Sequence, residues 1–404
     1  MLTIPKTEFA GRLERIQQEL AARKLDALMV YGDEYRRENL RYVSNFWPIF
    51  ERAACLIPQH GPAILAGAPE GERYAREMCP WEDVRNIKEF ACVSVPEEID
   101  YPLAVFSSLR EVLGDALRGG RRLGLVGRWD IPGPIYDRLR DAIPGLEIVE
   151  SDSLLRDLRL YKSDFEIGCL REAGRLAGVA YRRLIDTAIP GNTELMATGA
   201  AESAARMGGA ENIPFTVFGS GARTGTIIGR PTTKVIEDGD MIMAALAVQF
   251  NGYIATVEYP FVAGKASSEQ EAFLDILFEA ANVQLSYLRN GTPAAEMVRA
   301  VKEVFLKRGA EKYDVYPPMH GIGLAEAESP YPDVNATYAL EAGMCVNSDV
   351  SLFGHPAGSN RIEEGFVIRE SGPESLTPFI RDLCAKHLQG GDYAAARSAN
   401  VVLP

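Results

Sequence analysis

Apolar residues recur at Phe9, Leu13, Ile16 and Leu20, the three-and-four spacing of one helix face. Residues 8–24 are therefore expected to form an amphipathic helix. The stretch 26–31 then reads as a strand, and further short apolar runs fall at 53–57, 62–66, 122–127 and 146–150. Helical patterns near 69–78, 101–118 and 133–142 separate them. Such alternation predicts an α/β domain over residues 1–158. From Ser163 the pattern changes. Ser163 and Glu166 have capping-box spacing, and Ile167, Leu170, Ala173 and Leu176 line one face of a helix reaching to about Ala188. Thr193 opens an alanine-rich helix to about Met207, and 215–229, loaded with Gly, Ser, Thr and Arg, reads as loop and short strand beside a ligand. Met241–Phe250 and Tyr253–Val262 are β-rich runs joined by Asn251-Gly252, a strong hairpin turn signal. Helices are expected at 268–288 and 293–308, the second with Thr292 as cap and Pro293 at its first position, then strands at 319–326, 344–352 and 360–368. Residues 159–404 thus read as an α+β domain.

Composition narrows the possibilities. A chain of 404 residues exceeds one average core, which agrees with two domains, and 47% hydrophobic with 25% charged residues is ordinary for a globular protein. A net charge of −13 argues against a nucleic-acid surface, which needs clustered Lys and Arg. No apolar run reaches membrane-span length and the first residues lack a leader pattern, so neither a membrane nor an export role is expected, and the location is expected to be cytoplasmic. The six cysteines (Cys55, Cys79, Cys92, Cys169, Cys345, Cys384) are scattered without a C-x-x-C pair and read as reduced thiols, not zinc ligands.

Candidate chemistry is sparse. Glu258 sits in the second hairpin strand among Thr256, Val257 and Tyr259, where an unpartnered carboxylate is expensive to bury; it either serves a function or lies on a wet strand edge. Glu363, in Arg-Ile-Glu-Glu-Gly-Phe-Val-Ile, and Asp349, between Ser348 and Val350, raise the same question. An ion pair with Arg361 would explain Glu363 without function, but the strand is expected to set those two on opposite faces. His320 lies in Pro-Met-His-Gly-Ile-Gly-Leu, where glycines let backbone or ligand approach. His60 and His387 read as exposed.

The ordered set of hairpin, His-Gly-Ile-Gly, Gly343-Met344 with Asp349, and Arg361-Ile-Glu363 resembles the pita-bread family of methionine aminopeptidase, prolidase, aminopeptidase P and creatinase. The resemblance covers roughly residues 160–375, and the first half suits the smaller α/β domain of the creatinase and prolidase branch. It implies a fold with an α/β N-terminal domain and an α+β pita-bread C-terminal domain. In the family's metallopeptidases two metals are held by Asp, Asp, His, Glu and Glu. Laid on this chain those positions fall on Ala245, Thr256, His320, Asp349 and Glu363, so a dinuclear centre is not expected, although a weak single site stays conceivable. Creatinase works without metal, and Glu258 stands where its hairpin glutamate does. Phe50-Glu51-Arg52 resembles the Phe-x-Arg that its partner subunit lends to the site, which implies a homodimer in which each N-terminal domain caps the other chain's site. The family's second histidine falls at Ile228, and its substrate-gripping arginine has no counterpart in Glu326–Asp333; Arg223 and Arg230 are candidate replacements.

The resemblance thus implies a metal-independent hydrolase of creatinase or ectoine-hydrolase type, needing no cofactor. It would cleave a C–N bond in a small, nitrogen-rich, zwitterionic metabolite. Glu258 and Glu363 would bind an amidinium or ammonium group, with Asp349 beside them. Phe50, Arg52, Arg223 and Arg230 would hold the rest of the substrate. His320 would act as general acid/base near neutrality, Glu258 is an alternative nucleophile, and His355 could take over the missing histidine's task. A catalytically dead binding module and a mononuclear-metal lyase or peptidase remain open alternatives.

Overall fold

The computed structural model describes residues 4–91 and 104–388. The chain divides into two compact units, Met1–Arg159 and Leu160–Pro404. Cys92 and the beginning of the helix expected from residue 101 lie outside the described residues.

The first unit is a six-stranded sheet flanked by helices. Its strands are β1 (Ala27–Asp33), β2 (Arg52–Pro58), β3 (Ile64–Gly67), β4 (Asp83–Asn86), β5 (Arg122–Val126) and β6 (Glu147–Glu150), in spatial order β4-β3-β2-β1-β5-β6. β1 runs antiparallel to β2 and parallel to β5. Helices α1 (Lys6–Arg23), α2 (Glu38–Ser44), α3 (Glu72–Met78), α4 (Leu109–Leu117), α5 (Gly133–Ala142) and α6 (Asp152–Arg159) complete it. Phe9, Ile16 and Leu20 are buried on α1, as their spacing requires. One core cluster joins Met29 and Leu56 of the sheet to Leu113 of α4 and Leu139 of α5. α2, α6 and β4 are short elements without a sequence pattern long enough to announce them.

The second unit is built on an eight-stranded antiparallel sheet. β7 (Asn212–Ser220), β8 (Met241–Phe250), β9 (Tyr253–Glu258), β10 (Phe261–Val262), β11 (Met319–Gly321), β12 (Cys345–His355), β13 (Gly358–Arg369) and β14 (Gly372–Ser375) form it. The main path runs β10-β8-β9-β13-β12-β11, with β7 on β8 and β14 on β13. Asn251 and Gly252 both adopt left-handed φ, as a tight hairpin of right-handed twist demands. Packed around the sheet are α7 (Asp164–Thr187), α8 (Glu194–Met207), α9 (Ser268–Tyr287), α10 (Ala294–Lys307) and α11 (Pro378–Leu388). Ser163 and Glu166 do form a capping box on α7, and the Thr193 side chain caps α8. The expected Thr292 cap is not made. Pro293 occupies the N-cap of α10, and no side chain caps that helix. The segment read as loop and short strand from 215 is longer and more regular, since β7 pairs with β8 from Asn212 to Ser220.

Candidate active site

Strand register explains why residues far apart in sequence meet. Ala245 on β8 pairs with Glu258 on β9, Glu258 pairs with Glu363 on β13, and Glu363 pairs with Asp349 on β12. Directly paired residues share one side of a sheet, so this lateral row presents carboxylates on three adjacent strands. Thr256, Arg361 and Asn347 lie two positions along those strands and therefore share the side. His320 joins them from β11, opposite Asn347. Arg361 and Glu363 are consequently on the same face, contrary to expectation, because residues two apart in a strand do not alternate.

The cluster is nearly dry: Glu258 and Glu363 are each 1% exposed and Asp349 is 8% exposed. Its charges are partly balanced from within. Arg361 places Nε 3.5 Å from Glu258 Oε2 and Nη1 3.4 Å from Asp349 Oδ2. Glu363 Oε1 accepts a hydrogen bond from Asn347 Nδ2 at 2.6 Å and lies 3.4 Å from His320 Nε2. Glu326 Oε1 approaches the same Nε2 at 3.6 Å. Glu258 Oε1 and Asp349 Oδ1 are buried without a hydrogen-bond partner among the described residues. Such orphaned acceptors are costly unless a ligand or a proton satisfies them.

These surroundings set the protonation states. Burial, reinforced by Glu363 and Asp349, pushes Glu258 well above the ordinary carboxylate range, against the opposing pull of Arg361. Burial and Glu363 raise Asp349 to about 6. Burial and Glu363 likewise raise Glu326 to about 7. For His320 burial acts downward, but Glu363, Glu326 and Asp349 outweigh it and lift the imidazole to about 9. The residue expected to titrate near neutrality is therefore an imidazolium at pH 7, a proton donor in its resting state. The glycines beside it serve backbone packing: a Cβ on Gly321 would lie 2.1 Å from the Ser329 carbonyl oxygen.

A cavity of about 350 Å³ opens on this cluster. Its polar lining includes Glu258, Glu326, Glu363, Arg361 and Arg230; its apolar lining comes from Phe215, Val217, Ile227, Ile228 and Ala245. Two of the expected substrate contacts, Arg223 and His355, are not in this lining. Arg223 is committed elsewhere, since its Nε lies 3.2 and 3.1 Å from the two carboxylate oxygens of fully buried Glu194. His355 stacks on Phe273 at 4.8 Å and lines a separate cavity with Gln270 and Ser359. His387, read as exposed, is stacked on Phe278 at 3.7 Å and bonded to Asp275, whereas His60 is exposed. In the first unit Phe50 is 69% exposed with a left-handed φ of 61°, and Arg52 starts β2 beside Tyr31. Sequence reasoning missed Glu326, Asn347 and Arg361. Strand periodicity from Glu363 and Asp349 could have located the last two; Glu326 is in a loop and carries no such signal.

The donor set does not suit a pair of divalent ions. Ala245 offers no ligand, and Thr256 offers only a neutral, buried hydroxyl without a partner. His320, Asp349 and Glu363 bring one donor atom each within 4.8 Å of one another. Two ions need more anionic donors than this, and the Arg361 guanidinium already compensates Asp349 and Glu258. A dinuclear centre does not fit. For a single ion these three residues, His320, Asp349 and Glu363, supply a donor set, with His320 binding as the neutral imidazole.

Comparison with known proteins agrees with the fold. Residues 12–161 match the creatinase/prolidase N-terminal domain, and residues 168–370, half of the chain, match metallopeptidase family M24. The Xaa-Pro dipeptidase of Pyrococcus furiosus is 26% identical over 288 residues, 71% of this chain and 82% of the relative. The uncharacterized hydrolase/peptidase y4tL of Sinorhizobium fredii is 24% identical over 94% of this chain and 97% of its own length. The crystal structure of the prolidase from Pyrococcus horikoshii OT3 superposes with a TM-score of 0.78 at 24% identity, covering 91% of this chain and 98% of that one. Peptidase and dipeptidase names among these relatives place the family without singling out its metal-independent branch. No described helix is long and apolar enough to cross a membrane. With a creatinase/prolidase N-terminal domain ahead of a pita-bread domain, the chain belongs to metallopeptidase family M24.

Proposed function

We propose that the protein is a hydrolase that cleaves a C–N bond in a small substrate bearing a cationic nitrogen, without a dinuclear metal centre. The carrying observation is the carboxylate row Glu258–Glu363–Asp349, compensated by Arg361 and protonated His320, with Ala245 and Thr256 where metal-binding aspartates would stand. Glu258 and Glu363 receive the cationic group, and the raised pKa of Glu258 falls as that charge arrives. Arg230, at the cavity lining, receives an anionic group. Glu326, with its pKa near 7, takes a proton from the attacking water, and His320 gives its proton to the departing nitrogen. One water is consumed: its hydroxyl stays on the carbon and its proton replaces the one His320 donated.

Association as a homodimer, with Phe50 and Arg52 of one subunit completing the other's site, belongs to the same proposal and is supported by the exposure of Phe50. A second reading is an Xaa-Pro-type peptidase using one metal at His320, Asp349 and Glu363, favoured by the names of the relatives. The test is turnover by purified protein of amidines, ureas, N-acyl amino acids and Xaa-Pro dipeptides, with the Glu258→Gln variant beside it. Hydrolysis of a cationic C–N substrate, abolished in the variant, is expected. Turnover of the dipeptides alone, dependent on added metal, would transfer the assignment to the second reading.

A further inference from the structure

The carboxylate row accounts for one part of the cavity; Phe215, Thr216 and Val217 of β7 and Ile227, Ile228 and Arg230 of the loop 221–230 line another. Glu194, fully buried at the start of α8, accepts hydrogen bonds from the backbone and side chain of both Ser220 and Thr232, and its contact with Arg223 completes the clamp. Arg223 in turn donates to the Arg230 carbonyl at 2.8 Å, and Phe218 N–H donates to the Gly229 carbonyl at 2.9 Å. The loop is thus closed at its base by charge-assisted bonds.

At its tip Ile227 adopts φ 63° and ψ −64°, and Ile228 N–H donates to the Thr226 carbonyl at 2.7 Å. This is a γ-turn of the rare, strained hand, centred on a β-branched residue that disfavours it. Strain of this kind persists where the surroundings over-determine it, and it gathers at ligand sites. Its effect is to bring Ile227 and Ile228 to the cavity lining beside Phe215 and Val217, with Ile228 left 75% exposed. A compact polar ligand would satisfy the carboxylates and leave this surface wet. A ligand with a hydrocarbon segment would remove it from water, the main favourable contribution in association.

We propose that Ile227 and Ile228 make the cavity selective for an organic cation that carries an apolar arm, rather than for a wholly polar one. The inference rests on the cationic-substrate reading and narrows it. The probes are methylammonium, n-butylammonium and butyrate, with the full-length protein and calorimetric or competition binding. Each buried methylene adds at most about fourfold in affinity, so n-butylammonium is expected to bind between roughly 10-fold and 60-fold more tightly than methylammonium. Butyrate should bind more weakly than n-butylammonium, and Ile228→Ser, an exposed position that leaves the fold intact, should cut the chain-length gain severalfold. Equal affinity for the two ammonium ions would overturn the inference while leaving the cationic site standing. No binding of either cation to the wild-type protein would remove both.

Discussion

Replacing Glu326 by glutamine should change the acidity of a different residue, His320. The imidazole sits 3.4 Å from Glu363 and 3.6 Å from Glu326, and together with Asp349 these carboxylates raise it from 6.5 to about 9. That rise corresponds to about 3 kcal/mol in favour of the imidazolium. A carboxylate at this separation shifts a partner by roughly 1–3 pH units, toward the lower figure where water screens it, and Glu326 is 28% exposed. Glu326→Gln should therefore lower the His320 midpoint by about 1 unit. The chain has only four histidines, so ¹³C-labelled imidazole resonances followed by NMR between pH 5 and 10, with His320→Gln for assignment, read the value directly. The sign extends to stability. A folded-state pKa above the unfolded one contributes stability that is complete below pH 6.5 and is lost as pH rises through about 9. Urea denaturation should show this loss in the wild type and a smaller one in Glu326→Gln. A wild-type His320 midpoint at or below 6.5, or one unmoved by Glu326→Gln, would refute the reasoning.

Burial raises Glu258 and an arriving cation favours its ionised form, so binding of a cationic ligand should release protons in the pH range where Glu258 titrates. Calorimetry in buffers of different ionisation heat, repeated between pH 5 and 9, measures that number, and a value of zero throughout would contradict the raised pKa. Glu194→Ala strands several donors at the base of the 221–230 loop and should cost about 2–4 kcal/mol in urea denaturation, with a raised KM; unchanged stability would deny Glu194 its anchoring role. For the shared-site dimer, Arg52→Ala and Glu258→Gln should each be inactive alone. Subunit exchange between them should restore about a quarter of wild-type activity, since half the dimers then carry one intact site. No recovery despite exchange would reject the capping arrangement.

Much of the architecture was legible in the chain. Amphipathic spacing located α1 and α7, Asn251-Gly252 fixed the hairpin, and alternation of strands and helices separated an α/β half from an α+β half. The site was half legible. Glu258, Asp349 and Glu363 stood out because carboxylates inside apolar strands demand partners, and strand pairing does bring them together. What local sequence could not supply was the environment. His320 looked like a base poised near neutrality because its two carboxylate neighbours, Glu326 and Glu363, reach it only through the tertiary fold. Arg223 looked available because its partner, Glu194, is 29 residues away on another element. His355 follows the same lesson: the end of β12, close in sequence to the Glu363 strand, opens on a different cavity.

Metal stoichiometry tests the charge balance of the site most directly. Protein purified with and without added manganese, cobalt or zinc, then dialysed and analysed by mass spectrometry for ions per chain, should hold less than one tightly bound ion. Its hydrolysis of a cationic substrate should be indifferent to a chelator. Two ions per chain, with activity lost on chelation and restored by metal, would contradict the balancing of the carboxylates by Arg361 and His320.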